Sequence, residues 1–233
     1  MDAIFAGLKL ADTHEDLYRN IVSLRETENL FDDLSADRAD WRTAIELELQ
    51  TKPATYLSTT PIIHRPFEEA AWNEAIGFPF RTWSRSRYSD GSFGVWYGAD
   101  SLETTIYETV YHWRNHLLAD AGFNEPGIKI ERRVHLVRCD AALIDLRGLI
   151  KHHPMLVDST DYTLTHQVGG RVHREGHPGL LTKSARCKGN VYAIMNPAVL
   201  SNPHPHCYLS YTTTENGVEV ERTPGKLLLY IAT

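Results

Sequence analysis

SRYSDGSFGVWYGADSLETTIYE, residues 86–108, joins a turn, a strand and the start of a helix within one short stretch. Residues 89–91 read Ser-Asp-Gly, which is typical of a turn. Residues 93–97 form an aromatic and β-branched run between glycines, and this composition favours a strand. Asp100 and Glu103 then stand where a helix begins, and the helix is predicted to continue to about residue 118. The stretch therefore predicts a strand followed directly by a helix.

Arg87, Tyr97 and Glu108 do not fit the apolar pattern of this stretch. The apolar stripe of the predicted helix consists of Leu102, Ile106, Val110, Trp113 and Leu117. Glu108 lies off that stripe and shares its side of the helix with Thr104, Tyr107 and Tyr111. A lone glutamate in such a position is usually solvated, but a second face decorated with polar and aromatic side chains favours the wall of a cleft.

The chain before this stretch is predicted to be helical. Leu17, Ile21 and Leu24 recur near helical spacing and predict a helix over 13–34. Further helices are expected over 40–49 and 66–76, the last with a proline at its start and Gly77 at its end. Residues 1–76 are therefore predicted to form an N-terminal helical extension.

The chain after this stretch contains both strand-like and helix-like residue patterns. Alternation predicts strands over 128–136 and 143–146, and β-rich runs predict strands over 190–195 and 226–232, with a helix over 161–174. Asn216-Gly217 between two further strands, 207–213 and 218–222, is a strong hairpin signal. This irregular mixture predicts an α+β domain with mixed central sheets over residues 77–233.

Composition limits the function classes. The formal net charge of −6 works against general binding to nucleic acid or to an anionic membrane, and no apolar run reaches the roughly 18 residues of a membrane helix. An anionic ligand must then be held by a local cluster such as Arg81, Arg85 and Arg87. Three cysteines at irregular spacing fit a reducing compartment, and together with the lack of a secretion signal they predict a cytoplasmic protein.

Other chemistry is less well supported. His112 and His116 share one helical face, but no third ligand accompanies them, so no metal is expected. Ser184 lacks the G-x-S-x-G turn of a serine nucleophile. A nucleic-acid module built on Arg81, Trp83, Arg85, Arg87 and Trp96 remains an alternative. Arg171, Arg174, Lys183 and Arg186 form a second basic group that is either solvated surface or within reach of a phosphate.

Two blocks of this sequence resemble the RES-domain family, the toxins of bacterial toxin–antitoxin pairs. The first block comprises Arg87-Tyr88-Ser89, residues 95–99 and residues 101–108; the second comprises Tyr162, Thr165, Gln167, residues 179–186 and residues 189–191. Ser86 stands where glycine is common in the family. The resemblance implies a fold related to ADP-ribosyltransferases, NAD+ as the substrate, and a cognate Xre-like, DNA-binding antitoxin that covers the active site.

The resemblance also implies roles for individual residues. Arg87 would hold the phosphates, Tyr97 would lie against the nicotinamide or its ribose, and Glu108 would be the catalytic carboxylate. Ser184 would complete the nicotinamide or phosphate site, and Arg186 would be a further residue that binds the dinucleotide.

Chemical reasoning agrees with a carboxylate at the centre of the site. When the bond between ribose and nicotinamide breaks, nicotinamide leaves as a neutral base and positive charge develops on the sugar. A fixed carboxylate stabilises that charge more in the transition state than in the ground state. The resemblance, with which this chemistry agrees, therefore implies an NAD+ glycohydrolase or phosphorylase. The sequence leaves open whether water, phosphate or a protein side chain accepts the ADP-ribose, the last case being a mono-ADP-ribosyltransferase.

Overall fold

A computed structural model describes residues 2–23, 72–120, 122–123 and 125–232 of the chain. Four α-helices and eight strands occur in these residues. In chain order they are α1 (Asp2–Phe5), β1 (Lys9–Val22), α2 (Phe78–Arg81), β2 (Trp96–Ala99), α3 (Leu102–His112), β3 (Lys129–Asp145), α4 (Thr163–Arg174), β4 (Gly179–Lys183), β5 (Asn190–Ile194), β6 (Leu200–Thr214), β7 (Gly217–Thr223) and β8 (Lys226–Ala232). A π-helix, Asn73–Gly77, leads into α2, and a second, Trp113–Leu118, continues α3.

All eight strands belong to one sheet in the order β1-β2-β5-β4-β3-β6-β7-β8, and β1 also pairs with β3. The strands β1-β2-β5-β4-β3 therefore close into a ring, from which β6, β7 and β8 extend. The β3–β4 pairing is parallel and the others are antiparallel. The predicted mixed α and β fold is confirmed, with the predicted sheets joined into one.

β1 pairs much more extensively with β3 than with β2, and this leaves space between β1 and β2. β1 pairs with β3 along its whole length, from Lys9↔Asp145 to Val22↔Arg132. Its other edge meets β2 at a single pair, Tyr18↔Ala99. The rest of the two edges is unpaired, and the Arg19 side chain of β1 donates there to the backbone carbonyl of Tyr97 in β2.

The helix predicted over 13–34 is wrong for residues 13–22, which form most of β1. The buried residues of this strand are Thr13, Leu17 and Asn20, whose spacing imitates one face of a helix. The alternation of apolar and polar residues that is typical of a strand is not visible in this sequence, because the charged residues Glu15 and Arg19 occupy the same face as Leu17. Residues 9–22 are therefore part of the sheet and not of a helical extension.

The helix predicted over 40–49 lies outside the described residues, as does most of the helix predicted over 66–76. The described part of the latter does not end at Gly77, because the π-helix continues into α2 as far as Arg81. The predicted domain boundary between residues 76 and 77 thus falls inside a continuous helical stretch.

Two hydrophobic clusters fix the elements that surround the opening. Trp96 of β2 lies inside the ring with Leu17 and is fully buried, and its indole N–H donates to the carbonyl of Ala75 at 2.7 Å. Ile106 and Val110 of α3 pack on the face formed by β3, β6 and β7. Burial of these side chains holds α3 and β2 in fixed relation to each other.

The apolar stripe predicted for α3 is wrong at its last member. Leu117 is 58% exposed, whereas Leu118 is buried. The π-helix Trp113–Leu118 widens the last turns and advances the buried face by about one residue.

The predicted hairpin is confirmed, although its turn lies one residue earlier. Thr214 pairs with Gly217, so Glu215 and Asn216 form the turn, and neither has a positive φ. The last predicted strand coincides with β8. No helix of the described residues is long and apolar enough to cross a membrane.

Candidate active site

A cleft of about 220 Å³ opens where β1 and β2 diverge. Its walls come from β1, residues 85–87, β2, α3, β4 and β5. The lining residues include Arg19, Asn20, Arg85, Arg87, Tyr97, Thr105, Glu108, His112, Thr182 and Lys183. Three sequence-predicted site residues, Arg87, Tyr97 and Glu108, thus line one cleft.

Glu108 reaches the cleft because α3 is held by its core face. Ser101 caps the start of this helix by accepting the backbone N–H of Thr104 at 3.1 Å, and Ile106 and Val110 are buried on the opposite side. Glu108 is half-buried and lines the cleft wall. It lies off the apolar stripe, as the sequence predicts.

Ser184 orients Glu108. The Ser184 hydroxyl donates to Oε1 of Glu108 at 2.6 Å. The Ser184 Oγ also accepts the backbone N–H groups of Arg186 at 2.9 Å and Cys187 at 3.1 Å. Because two donors already point at the oxygen, its single proton is directed to the carboxylate. Ser184 therefore contacts the site through its hydrogen bond to Glu108, and these hydrogen bonds are those of a residue that positions the carboxylate.

Tyr97 holds the turn that carries Arg87. The Tyr97 hydroxyl accepts the backbone N–H of Tyr88 at 3.0 Å and lies 2.9 Å from the hydroxyl of Ser86. Ser86 thus adds a side-chain hydrogen bond to this turn. Burial raises the pKa of Tyr97 well above its usual range, so the phenol stays neutral.

Arg87 is held over the cleft by two contacts with the segment before α4. Its Nη1 donates to the carbonyl of Asp158 at 2.7 Å, and its guanidinium lies 4.6 Å from the ring centroid of Tyr162. Because these two contacts use only one N–H group and one face of the guanidinium, its other N–H groups remain available for a ligand.

Arg186 lies beside the cleft, but it is not among the lining residues. Its Nη2 donates to the carbonyl of Ser159 at 2.7 Å, and its guanidinium stacks 3.2 Å from the ring centroid of Tyr111. Ser159 follows Asp158, so one segment anchors both Arg87 and Arg186.

Sequence reasoning missed Arg19, which lines the cleft from β1. Its Nη1 donates to the carbonyl of Tyr97 at 2.8 Å, and its guanidinium lies 5.5 Å from the ring centroid of Trp96. Burial lowers the pKa of Arg19 to about 10, and the positive charge of Arg132 contributes further. At neutral pH the side chain is still a cation. A charged residue inside a buried strand is a signal for such a site, but the sequence predicts a helix over 13–34, and this prediction conceals the signal.

The cleft is cationic although the chain is acidic. Among the described residues, Arg19, Arg85, Arg87 and Lys183 line it together with one carboxylate, Glu108. The net charge of the chain is −6. The arrangement therefore suits an anionic ligand with one carboxylate near its reacting atom.

In the part of the chain that the structure describes, no group of three or more His, Cys, Asp or Glu side chains is placed to hold a metal ion. His112 and His116 stack on each other with centroids 5.5 Å apart. The second basic group is divided, since Arg171 is bound to Glu175 at 2.7 Å whereas Lys183 lines the cleft.

Comparisons with known proteins place these observations in context. A family model described as RES domain matches residues 61–214. Among solved structures, this chain is similar to a chain in the crystal structure of the M. tuberculosis MbcT–MbcA toxin–antitoxin complex. The identity is 14% and the TM-score is 0.47, with 92% of this chain and 91% of that chain covered. No curated protein matches the sequence.

Proposed function

Because the chain belongs to the RES-domain family, we propose that it is the toxin of a bacterial toxin–antitoxin pair and that it consumes NAD+ by breaking the bond between nicotinamide and ribose. The observation that carries the proposal is the Glu108–Ser184 hydrogen bond of 2.6 Å beside an otherwise cationic cleft. A dinucleotide needs both features, since its diphosphate is anionic and its ribose becomes cationic during the reaction.

In the proposed reaction the glycosidic C–N bond breaks and its electron pair leaves with nicotinamide as a neutral base. Positive charge then develops on the ribose. Oε1 of Glu108 is fixed by Ser184, while Oε2 has no hydrogen bond among the described residues and is free to face the sugar. A carboxylate fixed in advance stabilises the developing charge without reorganisation, which is the largest contribution in many enzymes.

Binding at the far end of the substrate supplies orientation. The Arg87 guanidinium is proposed to grip the diphosphate, and the Tyr97 ring to lie against the nicotinamide or its ribose. The Tyr97 hydroxyl is engaged with residues 86 and 88. It would therefore act through the position of Arg87 and not as an acid or base. Remote binding of this kind holds the reacting carbon next to the carboxylate.

Water or phosphate is proposed as the acceptor, and the oxygen of the acceptor forms the new bond to the ribose carbon as its proton passes to solvent or to Glu108. Transfer to a protein side chain is the alternative and uses the same cleft. Loops around the cleft decide between acceptors, so the products have to be measured.

Purified full-length protein incubated with NAD+ is expected to release nicotinamide. ADP-ribose accumulates if water is the acceptor, ADP-ribose-1″-phosphate appears only in phosphate buffer if phosphate is, and label from NAD+ remains on protein in the alternative case. Glu108→Gln should slow product formation by at least about 10²-fold. The matched control is Glu103→Gln, an exposed glutamate in the first turn of α3. Intact NAD+ under all three conditions would refute the proposed reaction.

The proposal extends to a cognate antitoxin of the Xre type that covers the cleft, and to action in the cytoplasm. The three cysteines are unpaired, which fits a reducing compartment. Induced expression in bacterial cells should lower NAD+ and stop growth, whereas Glu108→Gln should not. Growth arrest by Glu108→Gln to the same degree would contradict the link between toxicity and the reaction.

A further inference from the structure

The two peptide groups that adjoin Arg87 are held from different elements of the fold. The carbonyl of Ser86, which belongs to the peptide group before Arg87, lies 2.8 Å from Nε2 of His166 in α4. The backbone N–H of Tyr88, which belongs to the peptide group after Arg87, donates to the Tyr97 hydroxyl of β2 at 3.0 Å. Because each peptide group is planar, fixing both groups sets the backbone conformation at Arg87 and the direction in which its side chain leaves the chain.

The hydrogen bond of His166 requires a donor on the imidazole. A backbone carbonyl only accepts hydrogen bonds, so Nε2 of His166 carries the proton and donates to Ser86. The ring is half-buried beside residues 86–88. An apolar side chain at position 166 could fill part of this space, but it would leave the Ser86 carbonyl without this donor. The contact therefore depends on the N–H group and not only on the volume of the ring.

One face of α4 packs along the whole of residues 86–88. Tyr162, directly before the helix, His166 and Gly169 recur at intervals of four and three residues, which places them on the same side. The Tyr162 ring lies 4.6 Å from the Arg87 guanidinium and meets the His166 ring edge-on, with centroids 6.1 Å apart. At Gly169 the helix approaches the Tyr88 carbonyl so closely that a Cβ would collide with it. His166 is thus the central contact of this face.

We propose that His166 is a positioning residue for Arg87: by donating to the Ser86 carbonyl, it fixes the direction of the Arg87 guanidinium across the cleft. The inference rests on the proposed function for the role of Arg87, which is to hold the diphosphate. His166 acts on binding and not on the charge of the ribose, because the carboxylate of Glu108 is held separately by Ser184.

Binding of ADP-ribose to the full-length protein, measured by isothermal titration calorimetry, tests this without turnover. His166→Ala removes the donor, and His166→Gln keeps an N–H group at about the same reach. The control is His173→Ala, since this exposed histidine of α4 stacks on Phe93 and has no hydrogen bond to residues 86–88 in the structure as described.

His166→Ala should weaken ADP-ribose binding by about 3- to 10-fold, the effect of one lost hydrogen bond, whereas His166→Gln and His173→Ala should bind close to wild type. The KM for NAD+ should rise by the same factor with little change in kcat, a split that a general loss of stability would not produce. In an Arg87→Gln background, His166→Ala should cause no further loss of affinity. Unchanged ADP-ribose affinity in folded His166→Ala, or equal losses in both backgrounds, would overturn the inference.

Hydrogen exchange of the backbone amides of residues 86–89, measured without ligand, separates this inference from the proposed reaction. His166→Ala should speed their exchange by about 3- to 10-fold, and His166→Gln should restore the protection. If NAD+ is not consumed but ADP-ribose binding and exchange respond as expected, the reaction is wrong and the positioning role stands. If NAD+ is consumed and both measurements match wild type, the reaction stands and the role is wrong. Should wild type bind no ADP-ribose, the exchange rates alone decide.

Discussion

Replacement of Ser184 by alanine removes the hydrogen bond that orients the carboxylate of Glu108. The bond is 2.6 Å long, which is the usual length for a hydroxyl donating to a carboxylate. A hydrogen bond to a charged group contributes about 1.5–3 kcal/mol. Since about 1.4 kcal/mol corresponds to a tenfold change in rate, kcat for nicotinamide release should fall by about 10- to 100-fold. The KM for NAD+ should change little, because the carboxylate acts mainly on the transition state.

The same substitution has a separate effect on stability. Ser184 Oγ accepts the backbone N–H groups of Arg186 and Cys187, and alanine leaves both without this acceptor. The free energy of unfolding should fall by about 1–3 kcal/mol, measured by urea denaturation. The rate is therefore measured at a temperature where the variant is fully folded.

A double-mutant cycle separates positioning from a general structural effect. If Ser184 acts through Glu108, Ser184→Ala should slow the wild-type enzyme but have no further effect on the residual rate of Glu108→Gln. Ser184→Thr, which keeps a hydroxyl, should recover part of the rate. Equal losses from Ser184→Ala in both backgrounds would refute the argument that this serine serves the carboxylate.

Three further predictions follow from the packing around the site. Tyr97→Phe removes the acceptor for the backbone N–H of Tyr88 and should raise the KM for NAD+ by about tenfold with a smaller effect on kcat; an unchanged KM in steady-state kinetics would contradict this. Gly169→Ala should unfold the protein at a lower temperature, because a Cβ at this position of α4 would collide with the backbone carbonyl of Tyr88. Gly170→Ala, whose Cβ would meet only the flexible end of a side chain at 3.3 Å, should instead stabilise the helix by about 1 kcal/mol, and thermal denaturation of both compares them. Burial lowers the pKa of His135 to about 4 from 6.5, so the stability it contributes is complete above pH 6.5 and is lost as the pH falls toward 4. The loss amounts to about 2 kcal/mol between pH 7 and pH 5, and His135→Phe should show a correspondingly flatter pH dependence in urea denaturation.

The sequence predicts the part of the site that local pattern determines. Glu108 lies off the apolar stripe of α3, and the strand–helix junction before it follows from residues 96–101. The turn that carries Arg87 precedes β2 closely enough in sequence for Tyr97 to reach it. These relations involve residues within about two turns or one strand of each other, so periodicity and turn chemistry are sufficient.

Long-range pairing explains what the sequence does not predict. The cleft exists because β1 pairs fully with β3 but touches β2 at one residue pair, and these strands are far apart in the chain. Arg19 was hidden because the buried residues of β1 recur at helical spacing. Leu117 was misplaced because a π-helix shifts the buried face, and no residue pattern in α3 signals that change.

The central claim is that the carboxylate of Glu108 stabilises positive charge on the ribose as nicotinamide leaves. Single-turnover release of nicotinamide from NAD+ by Glu108→Gln, measured beside the dissociation constant of NAD+ for the same variant, tests it most directly. We expect the rate to fall by at least about 10²- to 10³-fold, the range for loss of one preorganised electrostatic contact, while NAD+ binding stays within a few-fold of wild type. A Glu108→Gln enzyme that releases nicotinamide at close to the wild-type rate would contradict the claim.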